Sequence, residues 1–159
     1  LEMASPMHDI GKVGIPDNIL QKPGKLTPEE YEIVTKHAEI GWHILKKSHR
    51  EVVAAAALIA YQHHEHYDGN GYPNRLKGFE THIFSRITAV CDVFDALISE
   101  RVYKKPWREE DVFHLLRSEQ GKQFDPDVID AFFSRLDEIM ALHRKYQQGS
   151  SMTYHDIHP

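Results

Sequence analysis

The sequence has little of what membrane, secreted or DNA-binding proteins need. Its one cysteine in 159 residues cannot form a disulfide within the chain, which favours a reducing compartment, the cytoplasm. No run approaches the roughly 20 apolar residues of a membrane helix, and the acidic start from Leu1 to Asp9 lacks the basic region of a signal peptide. The formal net charge of −5 argues against a broad cationic surface, so we expect no DNA partner.

Strand-like alternation is also missing, and apolar residues recur at helical spacing instead. We therefore predict an all-α helical bundle forming one domain over residues 1–146, with a flexible polar tail at 147–159. Because Leu1, Ala4 and His8 share helical spacing but no cap precedes them, we expect the chain to begin inside a helix, with the domain's first helices missing. The predicted helices span about 28–47, 51–65, 82–99, 108–119 and 126–146, with an ordered loop at 10–27 and another at 66–81.

Histidine is over-represented, at 12 of 159 residues, and imidazole is the commonest metal ligand in proteins. Histidines and carboxylates of four separate segments are candidate ligands, and such N and O donors suit Fe, Mn, Zn, Ni or Co. The two oxygens of Asp9 could bridge two ions about 3.5–4 Å apart, an arrangement used for in-line displacement at phosphate. The candidates are His8, Asp9, His37, His63, His64 and Asp92.

Taken singly, these residues have other interpretations. His37 lies on an apolar helix face and could be a satisfied core histidine, while one of His63 and His64 could be buried and the other solvated. Asp92 could pair with Arg86 or Arg101. However, an unsatisfied buried polar group costs about 1–3 kcal/mol. Bound ions therefore explain the whole set more economically than separate partners would.

Longer motifs follow one another in a single series along the chain. They are HDIGKVGIPD at 8–17, KPG at 22–24, HHEHYDGNGYP at 63–73, DVFDAL at 92–97, RVYK at 101–104 and GKQFDP at 121–126. In this order they closely resemble the HD-GYP family over residues 1 to about 135. The resemblance implies an all-α fold of the HD phosphohydrolase type with an ordered loop after the His-Asp pair. It also implies a metal-dependent phosphodiesterase that opens the bacterial second messenger cyclic di-GMP.

The resemblance further assigns the residues of the site. A hydroxide bridging two divalent ions would attack phosphorus in line and give pGpG or GMP, and some members hold a third ion. Fe or Mn are favoured, with Zn, Ni or Co as alternatives. By resemblance, Asp9 and Lys12 are catalytic, and Lys12 lies near the scissile phosphate. The resemblance also implies that Arg101 and Lys104 contact phosphate and that Gly71 and Tyr72 lie beside the substrate. The metal ligands that it implies are His8, Asp9, His37, His63, His64 and Asp92.

The family pattern also has a histidine, and in some members a glutamate, on a helix that would precede Leu1. A chain without that ligand could be a catalytically impaired module that binds cyclic di-GMP or another protein. Another nucleotide phosphohydrolase of the HD superfamily is a further alternative, against which the loop at 71–73 and the Arg101/Lys104 pair argue. As partners we expect cyclic di-GMP, an upstream receiver or sensor domain, and a diguanylate cyclase domain contacted through the GYP loop.

Overall fold

The computed structural model describes residues 1–99 and 106–149, and these residues form α-helices and short 3-10 helices with no β-strand. This confirms the all-α prediction. The 3-10 helices are Ser5–Met7, Ile10–Gly14 and Gly78–Glu80. The α-helices are α1 (Asp17–Leu20), α2 (Pro28–Thr35), α3 (His37–Leu45), α4 (Glu51–Gln62), α5 (Ile83–Ile98), α6 (Glu109–Ser118), α7 (Pro126–Ser134) and α8 (Leu136–Gly149).

Two of the predicted helices are each divided in two. The helix predicted at 28–47 breaks at Lys36, and the one predicted at 126–146 breaks at Arg135 and continues to Gly149. At both breaks the backbone N–H donates to the residue three positions back, at 3.2 Å, which tightens the turn and redirects the chain. The apolar spacing hardly changes across a one-residue break, so periodicity alone could not show it. Residues 150–159 of the predicted tail lie outside the described residues.

Two further expectations about the N-terminal part need correction. The segment at 10–27, predicted as a loop, contains the 3-10 helix Ile10–Gly14 and the short helix α1. The first residues form turns and the 3-10 helix Ser5–Met7 rather than an α-helix. Glycine and proline at 11, 14 and 16 lower α-helical propensity, but they permit tight turns of this kind.

The helix starts that the sequence predicted are present. Thr27 Oγ1 accepts a hydrogen bond from the Glu30 N–H at 3.3 Å, and Glu30 Oε2 accepts one from the Thr27 N–H at 2.8 Å. This capping box fixes the start of α2. At α7 the cap is a single hydrogen bond, in which Asp125 Oδ1 accepts from the Asp127 N–H at 2.9 Å.

Two apolar clusters hold the helices together. The larger one joins α5, α6, α7 and α8 around Phe94, Leu116 and Ile129, and the smaller one packs Ala4 against Ile59 of α4. Small side chains let α3 and α4 approach closely, and a Cβ on Gly41 would lie 3.1 Å from the Cβ of Ala60. No helix in the described ranges has the length and apolar character required to cross a bilayer.

Candidate metal centre

Histidines and one aspartate from three segments meet at the N-terminal end of α3. Asp9 lies between two 3-10 helices, His37 is the first residue of α3, and His63 follows the last residue of α4. One donor atom from each of these residues and from His64 lies within 4.8 Å of every other. The start of α3 and the end of α4 are therefore both needed to assemble the group, because each provides a donor from a different segment.

Backbone carbonyls orient the imidazole rings. The Nδ1 atoms of His8, His37 and His63 donate to the carbonyls of Ser5, Val34 and Ile59 at 2.8, 2.7 and 3.1 Å. An imidazole whose Nδ1 carries the proton presents an unprotonated Nε2. The Nε2 atoms of His37 and His63 therefore face the centre as lone-pair donors, in the way that outer hydrogen bonds orient metal-binding histidines. The Nε2 of His8 faces the carboxylates of Asp9 and Asp92 instead.

Asp9 Oδ1 is the atom that most needs a cation. It is buried and accepts no hydrogen bond within the described residues. The Nε2 atoms of His37 and His63 lie 3.5 and 3.9 Å away from it, and 3.4 Å from each other. A carboxylate oxygen and two imidazole lone pairs do not satisfy one another, whereas a divalent cation accepts all three. The residues present therefore fit a divalent metal ion.

The second oxygen of Asp9 faces a different set of groups. His8 Nε2 lies 3.4 Å from Asp9 Oδ2 and 3.6 Å from Asp92 Oδ1, which α5 contributes. Lys12 also forms an ion pair with Asp9 Oδ2 through its ammonium group. Asp9 thus lies between two groups of donors and directs one oxygen toward each.

The charges of the site follow from this arrangement. The carboxylates of Asp9 and Asp92 raise the pKa of His8 to about 10. Burial lowers the pKa of His63 to about 4 and that of His64 to about 2, which keeps both rings neutral. Burial alone would raise the pKa of Asp9, but the hydrogen bonds from His8 and Lys12 outweigh it, and the pKa falls below its ordinary value. Asp9 is therefore ionised and His63 and His64 are neutral at pH 7, as metal ligands must be.

The loop after α4 covers one side of the cluster. The Tyr72 ring stacks on His64, with ring centroids 4.7 Å apart and an interplanar angle of 25°. Gly71 is buried, and a Cβ there would lie 2.2 Å from the His66 nitrogen, so no other residue fits this backbone. Gly71 therefore contributes its small size, while Tyr72 holds the ring of a candidate ligand.

Sequence reasoning missed two residues that position the site. A Cβ on Gly11 would lie 1.9 Å from the His37 carbonyl oxygen, so only glycine lets the segment after Asp9 lie this close to α3. Glu65 is 3% exposed, and its two oxygens accept hydrogen bonds from the N–H groups of Asn74 and Leu76 at 2.7 and 3.0 Å. The available signal was their place inside the motifs: Gly11 stands two residues after Asp9, and Glu65 follows the paired histidines.

The structure brings the predicted ligands together in two adjoining groups. Of the alternatives considered for Asp92, the pairing with Arg86 is wrong, because Arg86 forms a buried ion pair with Asp125. The other alternative, Arg101, lies outside the described residues, as does Lys104. The group around Asp9 Oδ1 comprises His37, His63 and His64. The group around Asp9 Oδ2 comprises His8, Asp92 and Lys12. Gly71 and Tyr72 lie beside the group around Asp9 Oδ1.

Comparison with known proteins agrees with this site. A family model described as an HD domain matches residues 1–128, so the chain belongs to the HD domain family, as its motifs predicted. Among curated proteins, it is 47% identical over 142 residues to a 3'3'-cGAMP-specific phosphodiesterase 2 of Vibrio cholerae, covering 89% of this chain and 27% of that protein. It is also 47% identical over 145 residues to a cyclic di-GMP phosphodiesterase of Thermotoga maritima, covering 91% of this chain and 39% of that protein.

A third relative is the cyclic di-GMP phosphodiesterase response regulator RpfG of Xanthomonas campestris. The identity is again 47%, over 131 residues that make up 82% of this chain and 35% of that protein. The chain thus spans between about a quarter and two-fifths of the length of these relatives.

Proposed function

We propose that this chain is a metal-dependent phosphodiesterase that hydrolyses cyclic di-GMP. The observation that carries the proposal is the buried, unpartnered Oδ1 of Asp9, enclosed by the donor atoms of His37, His63 and His64 within 4.8 Å. Relatives named as cyclic di-GMP phosphodiesterases match more than four-fifths of the chain, which supports the same reaction here.

The two groups of donors suggest two ions. Asp9, His37, His63 and His64 would hold one, and the second would share Asp9 with His8 and Asp92. Bound divalent ions polarise phosphoryl oxygens and lower the pKa of water toward neutrality. The mixed N and O donors suit Fe or Mn, with Zn, Ni and Co as alternatives.

The chain's own groups would bind the substrate and manage its charge. Lys12, about 44% exposed at its side chain and paired with Asp9, can contribute positive charge where the leaving sugar oxygen develops negative charge. From the family motif we assign Arg101 and Lys104 to the phosphate oxygens. The guanidinium of an arginine can donate to two phosphate oxygens at once, and the ammonium of a lysine acts as a point charge. Gly71 and Tyr72 would border the substrate from the loop.

Substitution of Asp9 tests the assignment. In Asp9→Asn the shape is kept and the charge is lost, so we expect turnover of cyclic di-GMP by the Mn-loaded protein to fall at least about 100-fold. Metal content by elemental analysis should fall as well. The matched control is Asp17→Asn, an exposed aspartate on α1, which should change neither measurement. Unchanged turnover or unchanged metal content in Asp9→Asn would contradict the proposal.

The same assay separates the competing functions. Hydrolysis of 3'3'-cGAMP in preference to cyclic di-GMP would indicate that the chain shares its substrate preference with the 3'3'-cGAMP-specific relative of Vibrio cholerae. Preferential hydrolysis of nucleoside triphosphates would indicate another HD-superfamily phosphohydrolase. Binding of cyclic di-GMP by the metal-loaded protein without any product would indicate a binding module.

We further propose that the chain works in the cytoplasm behind a receiver or sensor domain. The chain covers only part of its relatives, and one of these is named a response regulator, which supports a multidomain arrangement. A diguanylate cyclase domain remains the proposed partner of the loop at 71–73. Co-purification of the loop variant Tyr72→Ala with such a domain, compared with the unsubstituted chain, would test that contact.

A further inference from the structure

A cleft of about 560 Å³ adjoins the metal centre, and Tyr72 belongs to both. Its walls come from α2, from the start of α3 and from the loop after Asn70. The volume lies within the range of about 300–1,000 Å³ usual for ligand sites. A nucleotide whose phosphate reaches the His-Asp cluster would therefore bring its base toward this cleft.

The charges lining the cleft favour a base over a second phosphate. Lys36 and Arg75 are balanced by Glu32 and Glu39, and none of the four forms an ion pair within the described ranges. A phosphate site would need an excess of positive charge, whereas donors and acceptors in equal number suit a neutral heteroaromatic ring. Tyr31 adds an exposed aromatic surface on which such a ring can stack.

Arg75 is held in the cleft by an unusual backbone. Its φ of 57° lies in the left-handed region, which is uncommon for residues other than glycine. The residues on either side, Asn74 and Leu76, both donate their N–H groups to the buried carboxylate of Glu65. The buried carboxylate of Glu65 thus fixes the backbone turn at Arg75, and this turn sets the point from which the Arg75 side chain extends.

We propose that this cleft holds one guanine of the cyclic dinucleotide and that Arg75 determines the preference for guanine, an inference that rests on the proposed function. A guanidinium donates two hydrogen bonds to guanine O6 and N7, whereas adenine presents an amino group in place of O6. The carboxylates of Glu32 and Glu39 are acceptors for guanine N1–H and N2–H, where adenine has no matching donor pair.

A guanine-specific cleft on one side of the centre orients an asymmetric substrate. When 3'3'-cGAMP places its guanine in the cleft, only one of its two phosphodiesters faces the His-Asp cluster. Water adds across that P–O3' bond, leaving a 5'-phosphate and a free 3'-hydroxyl. The first linear product is then one isomer, either pGpA or pApG, instead of an equal mixture.

The product ratio tests the proposal directly. With the Mn-loaded chain we expect one isomer to exceed the other by about 5- to 100-fold, the discrimination that a bidentate arginine provides. Arg75→Lys keeps the positive charge but loses the two parallel N–H donors of the guanidinium, so the ratio of the two isomers should fall toward one. Arg144→Lys, an exposed arginine on α8 away from the cleft, is the matched control and should leave the ratio unchanged. A merely structural effect would lower the rate without changing the ratio.

Binding of GMP and AMP, measured by isothermal titration calorimetry, gives a second readout that needs no turnover. We expect a preference for GMP that Arg75→Lys loses and Arg144→Lys keeps. An equal mixture of isomers from the unsubstituted chain would overturn the proposal that the cleft holds guanine, whereas a ratio unaffected by Arg75→Lys would overturn the role of Arg75. If no cyclic dinucleotide is hydrolysed, the proposed function fails, and the GMP and AMP affinities then decide whether the cleft distinguishes guanine.

Discussion

The two oxygens of Asp9 have different surroundings, and this asymmetry organises the site at the scale of single residues. Oδ1 is buried among unprotonated imidazole nitrogens, whereas Oδ2 meets Lys12 and His8. Because neighbouring main-chain carbonyls fix the imidazole tautomers, small backbone shifts at Asp9 or at His37 would misalign several donors at once.

Gly11 controls the distance between the Asp9 segment and α3. In Gly11→Ala the new Cβ would lie 1.9 Å from the His37 carbonyl oxygen, so one of the two segments must move. We expect a loss of at least about 1–3 kcal/mol in the free energy of unfolding, measured with urea, and reduced metal content. In Gly14→Ala the Cβ would meet only the Ile40 side chain, at 3.0 Å, so this control should have a smaller effect. Equal effects of the two variants would contradict the prediction.

At the scale of elements, the site depends on where helices end. The break at Lys36 makes His37 the first residue of α3, and the end of α4 at Gln62 releases His63 and His64 toward the same point. In the loop that follows, the buried Glu65 side chain accepts hydrogen bonds from two backbone N–H groups, and the Tyr61 hydroxyl donates to Asn74 Oδ1 at 3.0 Å. Helix ends and one anchored loop therefore position the donors more than any continuous helix face does.

Replacement of Glu65 should loosen this loop. Glu65→Gln keeps one acceptor oxygen and turns an amino group toward a backbone N–H, leaving a buried donor unsatisfied at a cost of about 1–3 kcal/mol. We expect a lower urea midpoint and a KM for cyclic di-GMP raised several-fold, with metal content retained. The control is Glu80→Gln, an exposed carboxylate that accepts from the Lys77 N–H at 2.8 Å and should cost little. Loss of metal with an unchanged KM would show that Glu65 acts on the cluster instead.

At the scale of the whole molecule, the larger apolar cluster lies among α5, α6, α7 and α8, while most candidate ligands come from the segments before α5. Asp92 of α5 connects the two parts at the site. A buried ion pair between Arg86 of α5 and Asp125, the cap of α7, connects elements of the larger cluster. The guanidinium also donates to the Thr81 carbonyl at 2.9 Å and lies 4.9 Å from the Phe79 ring centroid.

Removal of Arg86 should therefore destabilise the molecule. Arg86→Met leaves the buried carboxylate of Asp125 without its cation, which typically costs about 3–5 kcal/mol. The control is Arg135→Met, which breaks an ion pair with Glu138 in which both side chains are more than 60% exposed, and such pairs contribute about 0–1 kcal/mol. Urea unfolding of both variants measures the difference. Similar losses would mean that the Arg86 pair is no stronger than a surface pair.

The residue types and their spacing were enough to predict much of this protein. Helical periodicity gave the all-α class and the approximate helix positions, because the spacing of apolar side chains along a helix depends on nearby residues. The motifs gave the candidate ligands and the family. Periodicity did not reveal the breaks at Lys36 and Arg135, because one residue in a 3-10 turn hardly changes the spacing of apolar side chains.

Contacts between distant segments were decided only by the tertiary structure. Three features depend on how separate segments pack. Asp9 Oδ1 is buried without a hydrogen-bond partner, Gly11 lies against the His37 carbonyl, and Arg86 pairs with Asp125 rather than with Asp92. The sequence alone determined which groups could bind a cation, since that is a property of the side chains. Only the packed chain determined which of them meet, because their distances depend on contacts between residues far apart in the chain.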